Sequence, residues 1–149
     1  MPIQCQIITQ EREVFDEDVD IVLAPAVQGQ VAILPQHAPL VTALAFGEVL
    51  VRQGEKETAF AVGGGVLQVT PSKVIVLADS ADQAQEIDVE AAEEARRRAE
   101  ELMREGAPAD PEEYASLQAA MLRAKLQLKV ARRHRPRSGT GPRAMDFSE

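Results

Sequence analysis

The spacing of the apolar residues changes at Asp88, and no single layer of structure can accommodate both sides of that change. Before it, apolar and polar residues alternate in short runs bounded by Gly, Pro and acidic clusters, as in half-buried strands. After it, apolar positions recur at intervals of three and four, which is one face of a helix. The chain is therefore expected to be α+β. An N-terminal antiparallel β-sandwich would precede a C-terminal antiparallel two-helix hairpin.

In the first part Ile3, Cys5 and Ile7 alternate with polar residues. Further strands are predicted over 13–15, 19–23, 30–34, 40–44, 47–52, 58–62, 66–70 and 73–77, giving about ten short strands, a number typical of a sandwich or barrel. Asp16, Glu17 and Asp18 read as an acidic turn, and Gln53, Gly54, Glu55 and Lys56 as a hairpin turn. Gly63, Gly64 and Gly65 are followed by a strand and by no Gly-Lys-Ser/Thr, so a bulge or close crossing fits better than a phosphate loop. Pro35 and Pro39 exclude helix and central strand around His37. That segment is either a structural corner or a contact site held between two stiff points.

Beyond Asp88, which can cap a first helix, Ala91, Ala92, Ala95, Ala99, Leu102 and Met103 form a narrow stripe, and Gly106 is a stop. Asp110, Pro111 and Glu113 mark a second helix start. Tyr114, Leu117, Met121, Ala124, Leu128 and Ala131 then repeat on one face, widened by Leu122, Leu126 and Val130. The expected divisions are a sandwich over 1–87, a helical hairpin over 88–135 and a disordered tail over 136–149 rich in Pro and Gly.

Composition bounds the chemistry. With 45% hydrophobic residues the chain can fill a core, and its single cysteine excludes an internal disulfide. No apolar run is long enough for a bilayer span and no signal-peptide plan opens the chain, so a soluble, cytoplasmic protein is expected. His37 and His134 are far apart, neither has metal-ligand spacing, and no serine sits in a nucleophile motif. No catalytic, metal or cofactor site is expected. The net charge of −8 falls wholly on residues 1–87, and 114–143 contain no acid at all. Arg123, Lys125, Lys129, Arg132, Arg133 and Arg135 thus concentrate positive charge on the second helix. This is either a solvated face beside the acidic first helix or a surface for an acidic partner. A free-standing adaptor whose basic helix binds RNA or anionic membrane is the alternative. Nucleic acid is disfavoured, because stacking aromatics are lacking and the β module is acidic.

The order of several short motifs resembles the epsilon subunit of rotary F-type ATP synthases over residues 2–135. They are Glu11-Arg12-Glu13-Val14-Phe15, Gly29 with Ile33-Leu34-Pro35-Gln36-His37-Ala38-Pro39-Leu40, Gly47-Glu48-Val49, Ala61-Val62-Gly63-Gly64-Gly65, Val69-Thr70-Pro71 and Val76-Leu77-Ala78-Asp79 leading to Glu86-Ile87-Asp88. The resemblance implies a non-catalytic rotor subunit on the cytoplasmic face of the membrane, coupling ring rotation to ATP synthesis. Its sandwich would bind the gamma subunit of the central stalk and the c-subunit ring, with Gln28, Gly29, Gln30, Pro35, Gln36 and His37 as contacts. Its helices would restrain ATP hydrolysis by acting on the alpha/beta catalytic head. Many relatives also bind a regulatory ATP. Here Ala91 stands where they carry an arginine and Gln127 where they carry another base. Asp88, Arg98 and Arg123 are the nucleotide candidates left, and weak ATP binding, if any, is expected.

Overall fold

The computed structural model describes residues 2–134; Arg135 and the expected tail lie outside the described residues. Eight strands precede two helices: β1 Ile3–Ile8, β2 Glu13–Val19, β3 Ile21–Ala26, β4 Gly29–Ile33, β5 Leu40–Gln53, β6 Lys56–Thr70, β7 Lys73–Ala78 and β8 Ala81–Gln83. A 3-10 turn over Ala84–Glu86 leads to α1, Val89–Arg104, and α2, Pro111–His134.

The strands form one hydrogen-bonded sheet in the order β2-β1-β7-β6-β5-β3-β4, with β8 added on β6. That sheet folds over on itself into a sandwich because β5 and β6 are long enough to serve both layers. The second half of β6 pairs with β7 and its first half with β8. Phe15, from the edge strand β2, meets Phe60 of β6 edge-on at 5.4 Å, which closes one layer over the other. Between the layers, Ile3, Ile7, Val22, Ile33, Val49, Val62, Leu67 and Val74 form one buried cluster. Cys5 belongs to it, and burial, with a smaller effect from Asp16, pushes its thiol up to about 12.

Several expectations are corrected here. The strand count is eight, because 40–44 joins 47–52 and 58–62 joins 66–70 as continuous strands. The three glycines bend β6 without ending its ladder. Asp16, Glu17 and Asp18 are not a turn; they lie within β2, an edge strand whose acids meet Gln4 and Gln6 of β1 on its exposed face. The sandwich is not wholly antiparallel, since β1 runs parallel to β7. Ala81, Asp82 and Gln83 add the short strand β8, for which no strand is expected from the sequence.

The helix signals hold. Asp88 accepts a hydrogen bond from the Ala91 amide at 3.1 Å, and Asp110 accepts one from the Glu112 amide at 3.0 Å. Gly106, at φ +127°, donates its N–H to Met103 and closes α1. The expected alanine seam divides differently, however. Ala92 and Ala99 of α1 are buried against α2, whereas Ala91, Ala95 and Leu102 are exposed. α2 lies between α1 and the sandwich, contacting β5, β6 and the 3-10 turn.

Gly65 is the bend's critical residue. Its φ is +128°, and a Cβ there would overlap the Leu77 carbonyl oxygen of the neighbouring strand. Gly65→Ala should cost at least ~2 kcal/mol, from a left-handed backbone and a backbone collision together. Gly29→Ala, at φ +135° with nothing near the added carbon, should cost less. Equal thermal midpoints for Gly65→Ala and the unsubstituted chain would contradict this account of the bend.

Candidate functional site

Where α2 meets the sandwich the apolar seam is small. Ala59 and Ala61 of β6, Ala84 and Ile87 of the linker, and Val130 and Ala131 of α2 are buried together, with Leu50 and Leu126 at the margin. The small side chains remove little area from water, at about 25 cal/mol per Å². Polar contacts frame the seam. At one end Asp82 of β8 receives Arg123 at 3.3 Å and the Gln127 amide nitrogen at 2.9 Å. At the other, Glu48 of β5 pairs with Arg133 at 3.1 Å, and its second carboxylate oxygen meets His134.

The acid-free helix is thus partly neutralised by its own chain. Arg123 and Arg133 engage sandwich acids, and Arg132 pairs with Glu93 of α1 at 3.4 Å. Lys125 and Lys129 are exposed and enter no ion pair among the described residues. The reading of a face neutralised beside the acidic first helix holds for Arg132 alone, whereas Arg123 and Arg133 pair with the sandwich. Arg135 lies outside the described residues.

The six residues expected at a ring or stalk contact do not form one loop. Gln28 lies in the tight turn between β3 and β4, and Gly29 and Gln30 open β4. Pro35, Gln36 and His37 lie past the other end of that five-residue strand, roughly 15 Å away at 3.3 Å per residue. There His37 donates its amide to Leu34, and Gln36 donates to Pro71 of the β6–β7 turn. Gln36 has φ +69°, as the third residue of a turn with Pro at its second position requires. His37 Nδ1 lies 2.7 Å from the Ala38 carbonyl. The segment is therefore a rigid corner, whether or not it is also a contact.

Sequence reading passed over an apolar stripe. Ala43, Val66, Leu77 and Ile8 are paired in turn across β5, β6, β7 and β1, so their side chains share one face. Val41 nearby is 69% exposed, and Val66 and Leu77 are more than 40% exposed. The stripe uses the halves of β5 and β6 that α2 does not cover. Adjacency of apolar residues on one sheet face depends on strand order, which the one-dimensional pattern does not carry.

The three nucleotide candidates make separate contacts within the chain. Asp88 caps α1, Arg98 pairs with Glu94 at 3.7 Å on an exposed surface, and Arg123 binds Asp82. The cavity that Arg123 lines, with Thr9, Arg12, Asp79 and Asp82 among its walls, includes neither Asp88 nor Arg98. No cluster of metal-ligating side chains is present among the described residues.

The β-sandwich thus carries a docked helix pair on one face and leaves an apolar face bare. Residues 2–84 match the family of the ATP synthase delta/epsilon chain β-sandwich domain, and residues 85–132 match its long α-helix domain. The chain belongs to the ATP synthase delta/epsilon chain family. Within it, the matching relatives are ATP synthase epsilon chains. That of Dehalococcoides mccartyi is 46% identical over 139 residues, covering 89% of this chain and 94% of the relative. That of Herpetosiphon aurantiacus is 44% identical over 137 residues, covering 92% and 99%. The fold also recurs in a chain of the Euglena gracilis mitochondrial ATP synthase at a TM-score of 0.70 and 21% identity, covering 89% of this chain and 82% of that one. The family match displaces the free-standing adaptor reading. Among the described residues, no helix is long and apolar enough to cross a membrane.

A small seam of this kind is open to a single disruption. Val130 is 1% exposed within it, and an unpaired carboxylate there would cost several kcal/mol. Val130→Asp should therefore free α2 while the sandwich keeps a cooperative thermal transition. Loss of that transition would make the helix an integral part of the sandwich core.

Proposed function

We propose that the chain is the non-catalytic epsilon subunit of the rotor, with the sandwich as its seat and the helix pair as a movable brake on hydrolysis. The seat would use the apolar stripe of Val41, Val66 and Leu77 against the gamma subunit of the central stalk. The turns at Gln28–Gln30 and Pro35–His37 would approach the c-subunit ring, on the cytoplasmic face of the membrane. What supports a seat is that large apolar side chains stand bare on an otherwise well-packed sandwich.

The observation that carries the brake is the double use open to the basic helix. In the docked state Arg123, Arg132 and Arg133 are held by Asp82, Glu93 and Glu48. An acidic segment of the alpha/beta head would compete for the same guanidinium groups and recruit Lys125 and Lys129 as well. Each exposed pair contributes only about 0–1 kcal/mol, so the exchange is close to balanced and a partner can shift it. ATP is not needed for this exchange, and regulatory nucleotide binding is expected to be weak at most.

The pairs also assign different variants to the two states. Replacing Arg123, Arg132 or Arg133 would weaken both. Lys125→Ala with Lys129→Ala weakens only the extended state, and should raise ATP hydrolysis by the assembled enzyme about two- to fivefold. Asp82→Asn with Glu48→Gln weakens only the docked state and should lower it. Hydrolysis unchanged in both double variants, with normal assembly, would refute an electrostatic brake.

A further inference from the structure

One edge of the sandwich is left unfinished. β8 flanks β6 only from Phe60 to Val62, and beyond Gln83 the chain turns off into the 3-10 turn. Gln53 and Lys56 face each other across a two-residue hairpin loop, so Glu57 and Ala59 turn their backbone N–H and C=O away from β5. Gly63, on the same alternation, donates its N–H to Ser80 on the β8 side. Glu57 and Ala59 meet no backbone partner on that side among the described residues.

Two hollows open along this edge and share Lys56, Thr58 and Gln83 as walls, which makes them one cleft. The larger, of about 380 Å³, reaches Glu13, Asp16 and Glu17 of β2. The smaller, of about 170 Å³, reaches Glu57 and includes His134, the last residue of α2. Four carboxylates thus line the cleft, with Lys56 as its one lysine. Glu57 is paired with Arg52, but Glu13, Asp16 and Glu17 accept only from the amides of Gln6, Gln4 and Gln53. Thr58 lines both hollows and is 9% exposed, and its hydroxyl makes no hydrogen bond among the described residues. Most buried hydroxyls have a partner. An acidic cleft, a free strand edge and an unsatisfied hydroxyl together fit a basic peptide in extended form.

The chain carries such a peptide at this point. Residues 135–143, Arg-Pro-Arg-Ser-Gly-Thr-Gly-Pro-Arg, follow His134 directly and contain three arginines and no acid. Arg135, Arg137 and Arg143 all stand at odd positions, which an extended backbone would turn to one face. Nine extended residues span about 30 Å, more than the seven-residue β2. The family match ends at residue 132, so this segment falls outside the matched framework.

We infer that the cleft is the seat of residues 135–143 of the same chain, its acids meeting the three arginines while the edge at Glu57 and Ala59 pairs with their backbone. The inference does not depend on the rotor reading. Seated there, the segment straps the last turn of α2 to the sandwich beside the Glu48 contacts.

Amide hydrogen exchange of Glu57, read by NMR on the full chain, tests the proposal. This edge amide should exchange at least about tenfold more slowly than in a chain ending at His134. Arg135→Ser, Arg137→Ser and Arg143→Ser together keep the length and should remove most of that protection. Lys73→Ala, Arg97→Ala and Arg104→Ala together remove the same charge elsewhere and should leave it in place. An unchanged Val62 amide, which faces β5, verifies the folded sandwich in each variant. A free peptide of residues 135–143 should restore the protection to the shortened chain. Equal exchange of Glu57 in the full and shortened chains would overturn the proposal. So would protection that survives loss of the three arginines, or protection that rises with protein concentration and makes a second copy the occupant.

Discussion

The β5–β6 hairpin runs through both layers of the sandwich, and every other element takes its place from it. Its first β5 half and second β6 half pair in the layer that also holds β7 and β1; its other halves pair in the layer with β8 and β3. The bend at Gly64 and Gly65, both at positive φ, makes this possible without breaking the ladder. One hairpin thereby supplies two outward faces. Ala59, Ala61 and Leu50 receive α2 on one, and Val41 and Val66 stand bare on the other. The proposed function, which combines a held neighbour with a movable arm, needs two such surfaces on one body.

The two faces differ in strength because they differ in side-chain size. The stripe offers valines and a leucine, whose burial removes substantial area from water. The helix seat offers alanines, so part of its hold falls to Asp82 and Glu48. Surface charges are poor fasteners but good exchange partners, since one acid can replace another at little net cost.

Much of this was legible in the sequence. The period change at Asp88, the caps at Asp88 and Asp110, and the stop at Gly106 follow from local rules, and the structure bears them out. The motif order carried the family. Strand continuity was harder to see, because glycine in a strand and glycine in a turn look alike until the partner strand is known. Asp16 to Asp18 misled for a similar reason: three acids in a row are a common turn signal, but on an edge strand all three can stay solvated. The pairing of Arg123 with Asp82, and of Arg133 with Glu48, spans 41 and 85 residues of sequence. No helical or strand period encodes contacts of that range.

In the proposed function α2 is seated on a rigid sandwich by a seam weak enough to release. Hydrogen exchange on the free chain tests it directly, since it resolves local opening from global unfolding. Amides of α2 around Ala124 to Val130 should exchange through an opening at least about 2 kcal/mol cheaper than the one protecting Val62 and Val74 in the sandwich core. Equal protection of α2 and these strands would mean that helix and sandwich open as one unit, and would contradict a releasable arm.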